Sequence, residues 1–192
     1  MRVITFDIET TGIMPGGVFD MNTQERTVVG VLDSETNEFS SYIKEELPRM
    51  WPLFESADML VGYNSDHFDI PILNKYYAGD LTQIKSLDLL KEVRNVLGRR
   101  LKLESLAQAT LGRGKSGDGL EATKWWKEGR VDDVRKYCLD DVRITRELYD
   151  YARKNGSLKY KDYEGVREIK LNTMNWEEQR GDGPAMTHTL PF

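Results

Sequence analysis

The chain has 192 residues, with 27 Lys plus Arg against 32 Asp plus Glu and a net charge of −5. Hydrophobic residues at 39% and aromatic residues at 10% exclude a disordered chain, and the length suits one domain with a sizeable core. A single cysteine, Cys138, excludes an internal disulfide framework and a Cys-rich zinc site, and no apolar run approaches the roughly 18 residues of a membrane span.

Val3 to Ile8, VITFDI, is an apolar run with β-branched residues that predicts a buried strand, ended by Thr10-Thr11-Gly12. The stretch from Met14 to Gln24, with Pro15, Gly16 and Gly17, predicts a loop. Strands follow at Thr27–Leu32 and Glu38–Ile43, and the polar DSETN between them predicts an antiparallel hairpin turn. Leu47, Met50, Trp51 and Phe54 have helical spacing, but Pro48 and Pro52 predict only short turns there. A fourth strand is predicted at Met59–Tyr63, a helix at Pro71–Tyr77 and a short fifth strand at Lys85–Leu87.

The remainder reads mostly as helix. Leu89, Leu90, Val93, Val96 and Leu97 share one face, with Asp88 as the cap; Leu103–Leu111 is a second helix stopped by Gly112. After the loop RGKSGDG come a short helix at Glu121–Glu128 and the longest one, Val131–Arg153, closed by Asn155-Gly156. Leu158–Tyr160 and Val166–Lys170 predict a terminal hairpin, followed by a polar tail from Arg180. Three antiparallel strands followed by alternating strands and helices imply an α/β domain with a mixed sheet.

Charge is unevenly placed along this order. Residues 1–84 carry 5 basic and 14 acidic side chains, whereas residues 85–130 carry 11 basic and 6 acidic ones. A net acidic chain argues against a non-specific nucleic-acid coat, but the basic middle leaves a local phosphate surface available.

Three motifs carry chemistry. In FDIETTG, Asp7 and Glu9 are two apart on a strand and so face the same way. Paired carboxylates on a buried strand repel unless a hard divalent cation or an ion pair offsets them; hydrated carboxylates on a fraying strand end are the alternative. In NSDHFDIPIL, Asp69 lies between Phe68 and Ile70, five residues after Asn64, with helix capping by Ser65 or Asp66 as a structural alternative. In YCLDD, Tyr137 and Asp141 stand at i and i+4 on one helix face, and Cys138 reads as a small core residue. The glycines of GRGKSG lack the spacing of a nucleotide-binding P-loop.

Together, the strand-borne Asp-x-Glu, the N-x-x-x-F-D turn and the helical Y-x-x-x-D resemble the DEDD (DnaQ-like) superfamily of 3′–5′ exonucleases over residues 1–153. Proofreading domains of family B DNA polymerases and small stand-alone exonucleases are the similar members. Lys136 stands where the histidine branch has its His, so the resemblance is to the tyrosine branch. It implies a ribonuclease H-like fold: a mixed five-stranded sheet, its first three strands antiparallel, flanked by helices. Residues 154–192 would be a C-terminal extension packed on the same domain.

The resemblance further implies that Asp7, Glu9, Asp69 and Asp141 hold two divalent ions, Mg²⁺ or Mn²⁺. Tyr137 would orient the attacking water; with an ordinary pKa near 10 it is a poor base. The substrate would be the 3′ end of a single-stranded or frayed nucleic acid, DNA before RNA, cut to nucleoside 5′-monophosphates. Thr10 and Thr11 would meet the terminal 3′-hydroxyl, and Ile13 and Met14 would wedge terminal bases. Asn64 and Phe68 would line the strand's path, with core packing as the other role for Phe68. Lys115, Lys124 and Trp125 combine charge and aromatic faces as single-strand binders do, with Trp126 alongside; one core and one surface tryptophan is the plainer expectation. An exoribonuclease and a non-catalytic nucleic-acid module on the same fold are the rival functions. A cytoplasmic location is expected, without a membrane and with a polymerase or repair partner in view. Without a broad basic surface, binding should be weak, local to the 3′ end and of low processivity.

Overall fold

The structure is a computed structural model and describes residues 1–10, 26–114 and 119–178. Its centre is a five-stranded sheet in the order β3-β2-β1-β4-β5, formed by β1 (Val3–Thr10), β2 (Arg26–Asp33), β3 (Glu38–Tyr42), β4 (Met59–Gly62) and β5 (Ser86–Asp88). The first three strands are antiparallel neighbours, whereas β1–β4 and β4–β5 pair in parallel. This is the mixed sheet with helical flanks that the sequence predicts.

Strand alternation divides the core. Ile4, Phe6 and Ile8 of β1 bury against α1 (Leu47–Glu55) and α2 (Asp69–Leu73) on one face. Val3, with Met59 and Val61 of β4, packs on the other face against α3 (Leu89–Leu97), α4 (Leu103–Leu111) and α6 (Val131–Asn155). Asp7 and Glu9 therefore continue the α6 face of β1. The helix α5 (Gly119–Lys127) packs beside α6.

Most element bounds move little from the sequence reading, but two differ for physical reasons. One continuous α1 replaces the expected short turns. Pro48 occupies its first turn, where no N–H is needed, and Pro52 is carried because Leu47, Met50 and Phe54 bury one full face. Helix α2 starts two residues before Pro71 and stops at Leu73 instead of Tyr77. Its Asp69 is drawn back toward the sheet, and Asp66 does not cap it: Asp66 binds Ser86 and Lys91 instead.

A second, two-stranded sheet joins β6 (Ser157–Asp162) to β7 (Gly165–Lys170). Leu158, Ile169 and Leu171, with Trp176 stacked on Tyr149, extend the α4/α6 core. Among the described residues no helix is long and apolar enough to cross a membrane.

Candidate functional site

The site forms where β1 outruns β4. Parallel pairing stops at Thr5 opposite Val61, yet β1 continues to Thr10. Even-numbered β1 residues turn their amides toward the β4 side, so Ile8 has a backbone N–H past the end of that strand. The Asp69 carboxylate takes it, with Ile8 N donating to Oδ1 at 3.1 Å. The chain reaches this point through a tight turn: Gly62, where a Cβ would lie 2.5 Å from Ser65, and Asn64 at a φ of 67°.

The opposite side is set by β2. Asp7 pairs with Gly30, and a Cβ at Gly30 would come within 2.9 Å of Cys138 Sγ and 3.0 Å of Val142. A bare glycine thus lets α6 lie close on the sheet. Cys138 then sits with Sγ 3.4 Å from the Asp7 carbonyl and 3.8 Å from its Oδ2. Asp7, Glu9 and Cys138 offer donor atoms all within 4.8 Å of one another. Asp141 is one turn further along α6 and is buried. Burial first, and then the charges of Asp7, Glu9 and Asp141, push the Cys138 thiol well up. The thiol therefore reports three carboxylates gathered around it, and its S–H donates to Asp7 rather than acting as a thiolate ligand.

Asp69 is only 4% exposed. Burial pushes its carboxyl well above the ordinary range, with the Ile8 amide working against that rise and the Asp88 charge adding to it. Among the described residues no Lys, Arg or His lies within ion-pair distance of it. The oxygen donors of Asp7, Glu9, Asp69 and Asp141 match what a hard divalent cation takes, and a buried carboxyl lacking a cationic neighbour fits that use.

Asp88 supports the same corner. As the cap of α3 its Oδ1 accepts from Leu90 N at 2.9 Å, and it also accepts from Asn64 N at 2.7 Å, pinning the Gly62–Asp69 turn. Burial again raises its pKa.

The remaining predicted residues are spread more widely. Tyr137 is buried on α6, its ring edge-on to Trp125 at 6.2 Å. Trp125 and Trp126 are both half-buried against Val28, Val134 and Cys138, so the expected division into one core and one surface ring does not hold. Arg130 lies over Trp125. Lys124 is exposed, 3.9 Å from Glu128. Thr10 is half-buried beside the bulge between Glu9 and Thr10. Phe68 is half-buried against the α1/α2 core, and Asn64 accepts from Arg100 at 2.7 Å. Thr11, Ile13, Met14 and Lys115 lie outside the described residues.

Sequence reasoning missed Cys138 and Gly30 as parts of this corner. Cys138 stands at i−3 from Asp141, which places both on one helix face and was the available signal. For Gly30 the only hint is a glycine inside an otherwise apolar strand, the mark of a close approach.

A search of the curated proteins finds no match. Among solved structures, the chain is similar to the family B DNA polymerase from the hyperthermophilic archaeon Pyrobaculum calidifontis, with a TM-score of 0.59 and 20% sequence identity. The likeness covers 79% of this chain but 24% of the polymerase chain, and at that identity it speaks to fold alone. A family model, RNase_H_2, matches residues 4–153. With that match spanning most of the chain, and with the sheet order and pairing described above, the chain belongs to the RNase H superfamily.

Proposed function

We propose that this chain is a metal-dependent 3′–5′ exonuclease of the tyrosine-bearing DEDD type, acting on single-stranded or frayed DNA ends. A nuclease role is the general expectation for this superfamily and fold. The observation that supports the finer reading is the approach of acids from three separate elements: Asp69 accepts from Ile8 N, between Asp7 and Glu9, and the charges of Asp7, Glu9 and Asp141 all act on Cys138. Asp7 and Glu9 come from β1, Asp69 from the turn into α2 and Asp141 from α6. Such convergence is costly in a folded chain unless cations offset it.

Asp7, Glu9, Asp69 and Asp141 would hold two divalent cations, Mg²⁺ or Mn²⁺, whose chemistry is to lower the pKa of water and to neutralise charge on the phosphate. The chain's own groups do the rest. Asp7, beside Glu9 and Cys138, would be one of the residues that hold the cations. Tyr137, fixed by Trp125, would hold a water in line with the scissile phosphodiester. Thr10, at the end of β1, would meet the terminal 3′-hydroxyl, and Asn64 and Phe68 would flank the strand. Lys124 and Trp125 would meet it further out. Cleavage would release a nucleoside 5′-monophosphate. Residues 154–192 would serve as an extension of the nuclease domain, and the likeness to a polymerase makes a polymerase or repair partner reasonable.

Incubation of the purified protein with 5′-labelled DNA and RNA strands, in Mg²⁺, Mn²⁺ or chelator, tests this. A ladder shortening from the 3′ end only with metal is the expected result. Faster shortening of RNA overturns the DNA preference in favour of an exoribonuclease. No shortening of either strand overturns the nuclease reading and leaves a binding module.

A further inference from the structure

A pocket of about 660 Å³ opens beside the Gly62–Asp69 turn. Its walls are Asn64 and Asp66 from that turn, Asp88 at the end of β5, Lys91 and Arg94 from α3, and Arg100 beyond it. It therefore lies at the carboxyl ends of the two parallel strands β4 and β5, where open α/β sheets place ligands.

The charges in this pocket are not evenly matched. Asp88 is spent on backbone: it accepts from Asn64 N, Leu90 N and, at 3.3 Å, Asp66 N and Lys91 N. Asp66 is spent on Ser86 at 2.5 Å and Lys91 at 2.9 Å. Two guanidiniums are left over. Among the described residues, Arg94 has no carboxylate within ion-pair distance and Arg100 donates only to the neutral amide oxygen of Asn64. Arg99, its neighbour, turns away onto the Tyr160 ring. Two arginine forks lining one concave site suit an oxyanion with several acceptor oxygens, above all a phosphate.

The pocket is also tied to the acid cluster. Asp88, in its wall, is near enough for its charge to act on Asp69, and the Gly62–Asp69 turn joins the two sites along the chain. Asn64, which Arg100 holds, lines the pocket from that turn.

We infer that Arg94 and Arg100 form a phosphate-binding subsite that takes an internal phosphodiester of the nucleic-acid strand whose end lies at the carboxylates. This deepens the proposed nuclease function and rests on it for the strand; the phosphate chemistry rests on the pocket itself. The subsite supplies grip away from the reacting bond, using part of the basic middle segment, while the acid corner stays reserved for cations.

The test is equilibrium binding by fluorescence anisotropy, in chelator so that nothing is cleaved, with a labelled DNA strand of about 12 nucleotides. The double variant Arg94→Gln/Arg100→Gln should bind about tenfold more weakly. Its dependence on salt between about 50 and 200 mM should also flatten, by about 1.4 in the logarithmic slope for two lost single-strand contacts. Lys154→Gln, at the far end of α6, should change neither, and equal melting temperatures show that the fold is intact.

Unchanged affinity and slope in the double variant overturn the subsite, as does an equal loss in Lys154→Gln. Thymidine 5′-monophosphate is the second probe. If the double variant loses that nucleotide but keeps the strand, the pocket takes free nucleotide and the internal-phosphodiester assignment falls. A protein that grips the strand through the two arginines yet never shortens it in Mg²⁺ would overturn the nuclease reading alone.

Discussion

The two ends of β1 treat the same side chain in opposite ways. Asp33, beside its start, and Asp69, beside its end, are both 4% exposed. At the start, Arg2 meets Asp33 with Nη2 to Oδ2 at 2.6 Å and Nε to Oδ1 at 3.3 Å. The guanidinium hydrogen bond holds the Asp33 carboxyl below its ordinary range despite burial, and Arg2 is raised in turn. At the other end Asp69 has backbone amides, that of Ile8 and its own, and burial carries its carboxyl upward. An acid that serves the fold comes with its cation in the sequence. Under the proposed function, Asp69 would instead be left for a cation from solution, at some expense in stability.

The sharpest break of this contrast is to remove one acid from each end. Asp7→Ala and Asp141→Ala should each lower cleavage by about 10³-fold or more while the melting temperature in chelator holds or rises, because mutual repulsion is relieved. Asp33→Ala should do the reverse: cleavage stays near wild type, and stability falls by about 2 kcal/mol because Arg2 loses its partner. Gel-based cleavage and thermal melting read both. Wild-type rates in Asp7→Ala would end the assignment of that corner to catalysis.

The contrast was only partly legible in the sequence. Period-two alternation shows that Asp7 and Glu9 share a face, and helical spacing shows that Tyr137 and Asp141 share another; these are local relations, and motifs record them well. Leu103–Leu111 was legible to the residue because Gly112 takes a left-handed φ of 72° and ends the helix. Long-range relations were not. Nothing local says that Asp69 will reach across to Ile8, so α2 was placed two residues late. Nothing local says that Arg94 and Arg100, six residues apart across the end of α3, will line one pocket with Asn64. The half-burial of both tryptophans likewise depends on how α5 meets α6.

A smaller effect comes from the closeness of α6 to the sheet. Gly30→Ala places a methyl 2.9 Å from Cys138 Sγ and 3.3 Å from the Cys138 carbonyl. The sulfur can turn aside but the backbone cannot, so the helix must shift by a few tenths of an ångström. The expected cost is about 2 kcal/mol of stability, with a loss of cleavage larger than stability alone explains, since Tyr137 and Asp141 ride on that helix. The Cys138→Ala change in the same background makes room and should return part of both. Thermal melts and cleavage rates of the single and double variants measure this, and no recovery would mean that the contact is not what holds the helix in place.

The smallest expected effect sharpens the contrast through pH. A buried carboxyl with a raised native pKa binds its proton more tightly folded than unfolded. Its contribution to stability is fully present below the unfolded value of about 3.9 and is lost as pH rises through the native value. In chelator, Asp69 should therefore make the protein less stable from mildly acidic to mildly alkaline pH, whereas Asp69→Asn, which keeps the shape without the charge, should flatten that fall. Asp69→Asn should be the more stable of the two at alkaline pH, read from melting temperatures across the range. Asp33 predicts the opposite sign in a separate window: its stabilisation holds above the unfolded carboxyl value and is lost as pH falls below it, through the depressed native value. Adding Mg²⁺ or Mn²⁺ should cancel the alkaline loss in wild type and do little for Asp69→Asn, because only the ionised carboxylate offers the cation a charged oxygen. A wild-type protein that gains stability toward alkaline pH in chelator would show that some neighbour already neutralises Asp69, and the two ends of β1 would then be alike.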